Sequence, residues 1–210
     1  MEKKRVLICI PSLGIMDAKF VQSMLALDTE WYDITYKFTI RMLIDRARNK
    51  LFQEALLGEY DYMFFIDDDT IFRDTDTLNK MVQLDKPIVT GLYFNRSSTL
   101  HEPVVSLYAG DSVTGQPLAG KDDDWFENGM PKEPFKVDYT GGGCLLIRKD
   151  AIDKVAELTT TPFDEMRTMF GEDYSFCERC RQLGIEIWCD PTFELGHLSS
   201  CEIDEKDWIR

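Results

Sequence analysis

A chain of 210 residues with 44% hydrophobic and 12% aromatic content can bury a real core and is not a disordered polymer. Lys and Arg total 24 against 38 Asp and Glu, a formal charge of −14, which excludes a general nucleic-acid or anionic-membrane binder because phosphates would be repelled. A small phosphorylated ligand held through a metal ion stays compatible with that charge.

The chain opens Met1-Glu2-Lys3-Lys4-Arg5, and only Val6 to Ile10 are apolar before Pro11. That run is too short for a signal peptide and reads as a first strand. No apolar run approaches the length of a membrane span, so a soluble, cytoplasmic protein is expected. Pro11-Ser12-Leu13-Gly14 follows as a turn-rich loop, in the place where α/β domains commonly face a ligand. Asp17 to Leu27 has helical apolar spacing, and Ile34 to Ile40 alternates as a strand of period two.

Met42 to Leu57 reads as a helix with the apolar stripe Ile44, Ala47, Leu51, Ala55. Arg48 falls on that stripe, whereas Arg46, Asn49 and Gln53 fall on the polar side. A guanidinium on a buried side needs a phosphate, a base or a carboxylate as partner. The bland alternative is a side chain that snorkels to water.

Tyr62 to Ile66 is five apolar or aromatic residues without alternation, suited to a strand covered on both faces. It runs directly into Asp67-Asp68-Asp69. Three adjacent carboxylates repel one another and call for a positive neighbour, and a divalent cation suits their hard oxygens. A solvated acidic turn is the alternative.

Asp74 to Leu84 reads as a helix and Pro87 to Tyr93 as a strand. Residues 95–134 are rich in Gly and Pro and carry Asp122-Asp123-Asp124; one strand, Val104 to Tyr108, stands out, and the rest reads as a partly mobile excursion. Trp125 and Phe126 there could stack on a sugar or anchor the loop. Asn95-Arg96-Ser97 is a glycosylation sequon without meaning in a cytosolic chain. Phe135 to Tyr139 leads into Gly141-Gly142-Gly143 and an apolar strand, a place where backbone approaches something closely.

Asp150 to Leu158 is a helix with Asp150 as its N-cap. Gly171-Glu172-Asp173 opens another, stopped by Gly184. Glu172 and Asp173 could complement the helix dipole or serve as a general base. Ile185 to Cys189 is a last strand, followed by His197; a lone histidine is more often structural than functional. Among the six cysteines, Cys177 and Cys180 form a lone pair on an apolar helix face, a weak case for zinc.

Strands and helices alternate, so the expected class is α/β: one domain over residues 1–210 around a mostly parallel, Rossmann-like sheet flanked by helices, with the excursion at about 95–134. The order of strand and Pro-Ser loop, Arg46-x-Arg48-Asn49 helix, Asp-Asp-Asp strand end, glycine run, Gly-Glu-Asp helix and late His resembles the GT-A-fold glycosyltransferases. It is similar to their family 2-like group, and to small single-domain forms in viruses, phages and bacteria.

The resemblance implies a donor site for a nucleotide sugar, by preference a UDP-sugar, and a hydroxyl acceptor on a glycan or other molecule. It implies Asp69 and His197 on Mn²⁺ or Mg²⁺, Asp67 ligating directly or through water, and Asp68 on the ribose. Pro11, Ser12 and Arg48 would lie near the nucleotide, and Gly142 and Gly143 under the donor sugar. Asp173 would be the catalytic base and Glu172 its support. The alternatives are a non-catalytic nucleotide-sugar or glycan-binding module and a sugar-nucleotide nucleotidyltransferase; the latter would carry a Gly-rich basic loop after the first strand, where Pro11 to Ile15 has one glycine and no basic residue. An Asp-x-Asp-x-Thr phosphatase fails at Ile71. An EF-hand loop fails at Phe72 and Leu78.

Overall fold

The computed structural model describes residues 3–96, 101–112, 117–166, 171–198 and 202–203. Its elements in order are β1 (Lys4–Ser12), α1 (Ala18–Leu25), β2 (Tyr32–Ile40), α2 (Ile44–Leu57), β3 (Tyr62–Ile66), β4 (Thr70–Phe72), α3 (Thr77–Gln83) and β5 (Ile88–Gly91). Then come β6 (Val105–Asp111), β7 (Pro117–Gly120), α4 (Asp123–Asn128), β8 (Phe135–Val137), β9 (Tyr139–Thr140) and β10 (Cys144–Arg148). The remainder is α5 (Lys149–Leu158), α6 (Glu172–Gln182), β11 (Ile187–Asp190), β12 (Leu195–Leu198) and β13 (Glu202–Ile203).

A seven-stranded sheet runs β2-β1-β3-β10-β5-β11-β8. Strands β2, β1, β3, β5 and β11 point one way, and β10 and β8 run against them. This is the mostly parallel α/β sheet that the alternation of elements predicts. The unalternating runs of β1 and β3 follow from cover on both faces. Leu7, Cys9, Met63 and Phe65 belong to one core cluster with α2, α5 and α6 residues, while Val6, Ile8, Phe64 and Ile66 belong to the opposite cluster with Phe20 of α1 and Leu78 of α3.

Reversal of β10 has a local consequence. Cys144 lies opposite Ile66 in an antiparallel pair, so the amino end of β10 meets the carboxyl end of β3. The glycine run and the aspartates are thereby brought to one edge of the sheet. Two small sheets complete the fold, β13-β12-β4 and β7-β6-β9. No helix among the described residues is long and apolar enough to cross a membrane.

Several expectations are corrected. The alternation of β2 does not mark a buried face: β2 is the sheet edge, and Tyr36, Phe38 and Ile40 are exposed. Asn49 is buried rather than on the polar side, because its side chain donates to Asp164 Oδ1 at 2.7 Å and accepts from the Phe163 N–H at 2.8 Å. The N-cap of α5 is Arg148, and Asp150 sits in the first turn. The excursion holds a second strand, β7, and a short helix, α4, besides β6. Lys121 ties it together, donating to the Pro103 and Val105 carbonyls and to Ser106 Oγ. Trp125 is buried against Phe135 and anchors the excursion; the Phe126 side chain, Ser97 and Cys201 lie outside what is described. Cys177 and Cys180 are free thiols in the core.

Candidate active site

β3 delivers the three aspartates on a tight turn. The Asp67 N–H donates to the Gly143 carbonyl at 3.1 Å, and the Thr70 N–H returns to the Asp67 carbonyl at 3.1 Å. Thr70 Oγ1 donates to the same Gly143 carbonyl at 2.9 Å. The chain then pairs as β4 with β12, which sets Thr70 opposite His197. A groove of about 760 Å³ opens over this edge. Pro11, Ser12, Arg48, all three aspartates, Glu172 and Asp173 line it. Ser12 Oγ accepts from the Gly14 N–H at 2.9 Å, which shapes the loop after β1.

Arg48 is the hub of one half. It is 3% exposed, as its place on the apolar stripe of α2 suggested. Its Nη2 donates to Asp67 Oδ1 and Oδ2 at 2.9 and 3.1 Å, its Nη1 to the Gly142 carbonyl at 3.1 Å, and its Nε to Glu172 Oε1 at 3.1 Å. The guanidinium also lies 5.3 Å from the centre of the Phe65 ring. Burial drives both members of the Arg48–Asp67 pair toward neutrality. For Arg48 the Asp67 and Glu172 carboxylates outweigh burial and hold it charged, whereas burial leaves Asp67 above the ordinary aspartate value despite Arg48.

The same guanidinium explains the glycines. A Cβ on Gly142 would sit 2.1 Å from Arg48 Nη1, and one on Gly141 would sit 2.2 Å from the Tyr93 hydroxyl. That hydroxyl accepts from the Gly143 N–H at 3.0 Å. What the glycine run approaches in this structure is the side chains of Arg48 and Tyr93.

The other half is built on Asp69. Its Oδ2 pairs with Arg96 Nη1 at 2.8 Å. Its Oδ1 is buried, has no hydrogen-bond partner, and lies 3.4 Å from His197 Nε2. His197 Nδ1 is 2.8 Å from the Phe94 carbonyl. A carbonyl only accepts, so Nδ1 is assigned a proton, and Nε2 is the ring nitrogen turned toward Asp69. A proton or a cation shared between Nε2 and Oδ1 would satisfy both atoms. Burial raises the Asp69 carboxyl, but His197 and then Arg96 outweigh it and hold the group below the usual aspartate range. Among the described residues no group of three or more His, Cys, Asp or Glu is arranged to hold a metal. Asp69 and His197 supply two donors, and Asp67 gives both its oxygens to Arg48.

Asp173 stands in the first turn of α6 beside Glu172. Burial, followed by the charge of Glu172, pushes its carboxyl up to about 6, against the pull of Arg48 and of the Tyr174 N–H, which donates to Oδ1 at 2.8 Å. A carboxylate so placed titrates near neutrality, where a general base is most useful. Glu172 turns to Arg48, so it orients the hub rather than hydrogen-bonding Asp173.

The sequence-singled residues thus converge on one groove, except that Gly142, Gly143 and His197 stand just behind its wall. Three contributors were not foreseen. Arg96 was noticed only within a sequon, Tyr93 only as a strand residue, and Thr70 not at all. A polar hydroxyl directly after the triplet is the one signal that was available, since it can close such a turn.

No protein-family model matches the chain, and no curated protein matches it in sequence. Solved structures do match. A197 from STIV has a TM-score of 0.58 at 17% identity, covering 93% of this chain and 86% of that one. GalNAc-T7, solved with UDP, GalNAc and Mn²⁺, has a TM-score of 0.59 at 11% identity; the match covers 93% of this chain and 43% of that one. CMP:2-keto-3-deoxy-manno-octonic acid synthetase complexed with CTP has a TM-score of 0.52 at 13% identity, covering 95% and 94%. The fold is GT-A-like.

Proposed function

We propose that this protein is a metal-dependent glycosyltransferase that moves a sugar from a nucleotide sugar, a UDP-sugar by preference, to a hydroxyl acceptor. The observation that carries the proposal is the buried Asp69 Oδ1, without a hydrogen bond and 3.4 Å from His197 Nε2 behind the wall of the groove that Asp69 and Asp173 line. That pair of lone-pair donors fits Mn²⁺ or Mg²⁺, with the remaining ligands drawn from a diphosphate and water. When bound, the ion would supply Lewis-acid neutralisation of the leaving diphosphate. GalNAc-T7, which shares the fold, was solved with Mn²⁺ and UDP.

Asp173 takes the proton of the acceptor hydroxyl as that oxygen attacks the anomeric carbon. As base in a single displacement, it implies inversion at that carbon. Glu172 and Asp67 hold Arg48 in place, and Arg48 holds the Gly142 carbonyl, so the floor of the groove is pre-formed before a donor arrives. In this reading Pro11, Ser12 and Asp68 would contact the nucleoside, while Gly142 and Gly143 support Arg48 and Tyr93 from behind the groove wall.

The test is a thermal-shift screen of UDP-, GDP-, dTDP- and CMP-sugars with and without Mn²⁺, followed by nucleoside diphosphate release. A donor that stabilises the protein only with Mn²⁺, and whose turnover disappears in Asp69→Ala, supports the transferase. Stabilisation without turnover across the panel would indicate a binding module. Release of pyrophosphate from CTP would indicate a nucleotidyltransferase.

A further inference from the structure

Six carboxylates line the groove: Asp17, Asp67, Asp68, Asp69, Glu172 and Asp173. Against them stand two arginines, Arg48 and Arg96. A diphosphate entering such a groove meets net repulsion, so the disposition of those two cations decides whether it binds. Arg48 is committed: it is buried and its Nε, Nη1 and Nη2 are all engaged by protein oxygens. Arg96 is different. Its side chain is 51% exposed. Among the described residues its partners are Asp69 Oδ2 at 2.8 Å and, at the long distance of 3.5 Å, the Leu198 carbonyl. A guanidinium carries five N–H donors, and both of these contacts use Nη1 of an arginine that lines the groove.

Resting on the donor-transfer reading, the geometry points to Arg96 as the exchangeable anion-binding residue of the groove. It neutralises Asp69 in the metal-free protein and passes to the diphosphate when a divalent cation takes Asp69. The two cations compete for one carboxylate and repel each other, so an ion bound between Asp69 and His197 weakens the hold of Asp69 on Arg96. The diphosphate that accompanies the ion offers the released fork a better partner, because guanidinium geometry matches phosphate oxygens two at a time. Both states leave every charge in that half of the groove with a neighbour of opposite sign.

The exchange makes two affinities move in opposite directions. Calorimetric titration of the full chain with Mn²⁺ alone, and with UDP at saturating Mn²⁺, reads them separately in wild type, Arg96→Gln and Arg96→Lys. Arg96→Gln is expected to bind Mn²⁺ several-fold more tightly and UDP about tenfold more weakly, the size of one lost charged hydrogen bond. Arg96→Lys keeps the charge but not the fork, and it falls between the two. If Arg96→Gln fails to fold, the same two opposed shifts, smaller, are required of Arg96→Lys. Equal Mn²⁺ and UDP affinities in variants and wild type, or losses in both together, would overturn the exchange while leaving the transferase reading intact. UDP binding that is equally tight in EDTA and is lost in Arg96→Gln would also overturn it, since Arg96 would then be a permanent replacement for the ion. Wild-type protein that binds neither Mn²⁺ nor UDP would remove both proposals.

Discussion

The two ends of the aspartate turn sit two residues apart and are treated in opposite ways. At Asp67 both carboxylate oxygens are bound by a guanidinium that is itself fully enclosed by Gly142, Glu172 and Phe65. At Asp69 one oxygen meets a half-exposed arginine and the other has only His197 Nε2, 3.4 Å away and beyond a firm hydrogen bond. A buried charge network in which every member is partnered is rigid and specifies one arrangement. A half-partnered one retains capacity for a ligand. The difference teaches that a run of identical residues can divide labour by neighbours alone: Asp67 shapes the floor, and Asp69 keeps an open valence.

Breaking the closed half should have the largest effect. Arg48→Met leaves Asp67 and Glu172 facing each other without a cation, and loss of one partner from a buried ion pair costs about 3–5 kcal/mol. Urea unfolding measures it; a cost below about 1 kcal/mol would erase the contrast between the two halves.

Asp173→Asn sharpens the contrast by separating chemistry from scaffold. Turnover should fall by about 10²–10⁴-fold, the usual worth of a positioned base, while donor binding with Mn²⁺ persists. Wild-type turnover should climb with pH through about 6, where Asp173 becomes the carboxylate, and the asparagine variant should lose that limb. Stability runs the other way. A carboxyl whose folded value is raised to about 6 binds its proton more tightly folded than unfolded, so wild-type stability declines as pH rises from about 4 to about 6. The variant lacks that penalty and should be the more stable protein at pH 8, by up to about 3 kcal/mol, with no advantage at pH 3. Equal unfolding midpoints at pH 8 would show that Asp173 is less desolvated than its surroundings imply.

Gly142→Ala is the smallest of the three. Its Cβ would collide with Arg48 Nη1 at 2.1 Å. Overpacking of this kind costs about 1–3 kcal/mol. Because Arg48 must yield, the loss should shrink when combined with Arg48→Met, a coupling that a double-mutant cycle reads directly.

The sheet, its covered central strands and the acidic strand end were legible in the sequence, because burial on two faces leaves an unmistakable run in β1 and β3. Arg48 was legible as a residue on the wrong side of a helix, since a charge on an apolar stripe has few explanations. Its partners were not: Gly142 and Glu172 reach it across 94 and 124 residues of sequence. Arg96 was hidden for the same reason, inside a stretch whose composition suggested looseness. Its docking on Asp69 lies beside the contact of the Phe94 carbonyl, after β5, with His197 of β12, a tertiary event without local trace. The glycine run was correctly sensed as a close approach. The resemblance placed a donor sugar beside it, whereas the neighbours the structure reveals are Arg48 and Tyr93.

The span of Arg48's partners bears on how the chain folds. Asp67 is made soon after Arg48, but Gly142 and Glu172 come far later. The β3–β10 pairing that closes the floor likewise waits for residues 144–148. Such long-range closure slows folding and raises its dependence on the whole chain. A partly synthesised or truncated chain would carry a buried arginine with one carboxylate for company, so its core should stay open until α6 arrives. The groove takes its full shape only once the segments that supply its chemistry are all present.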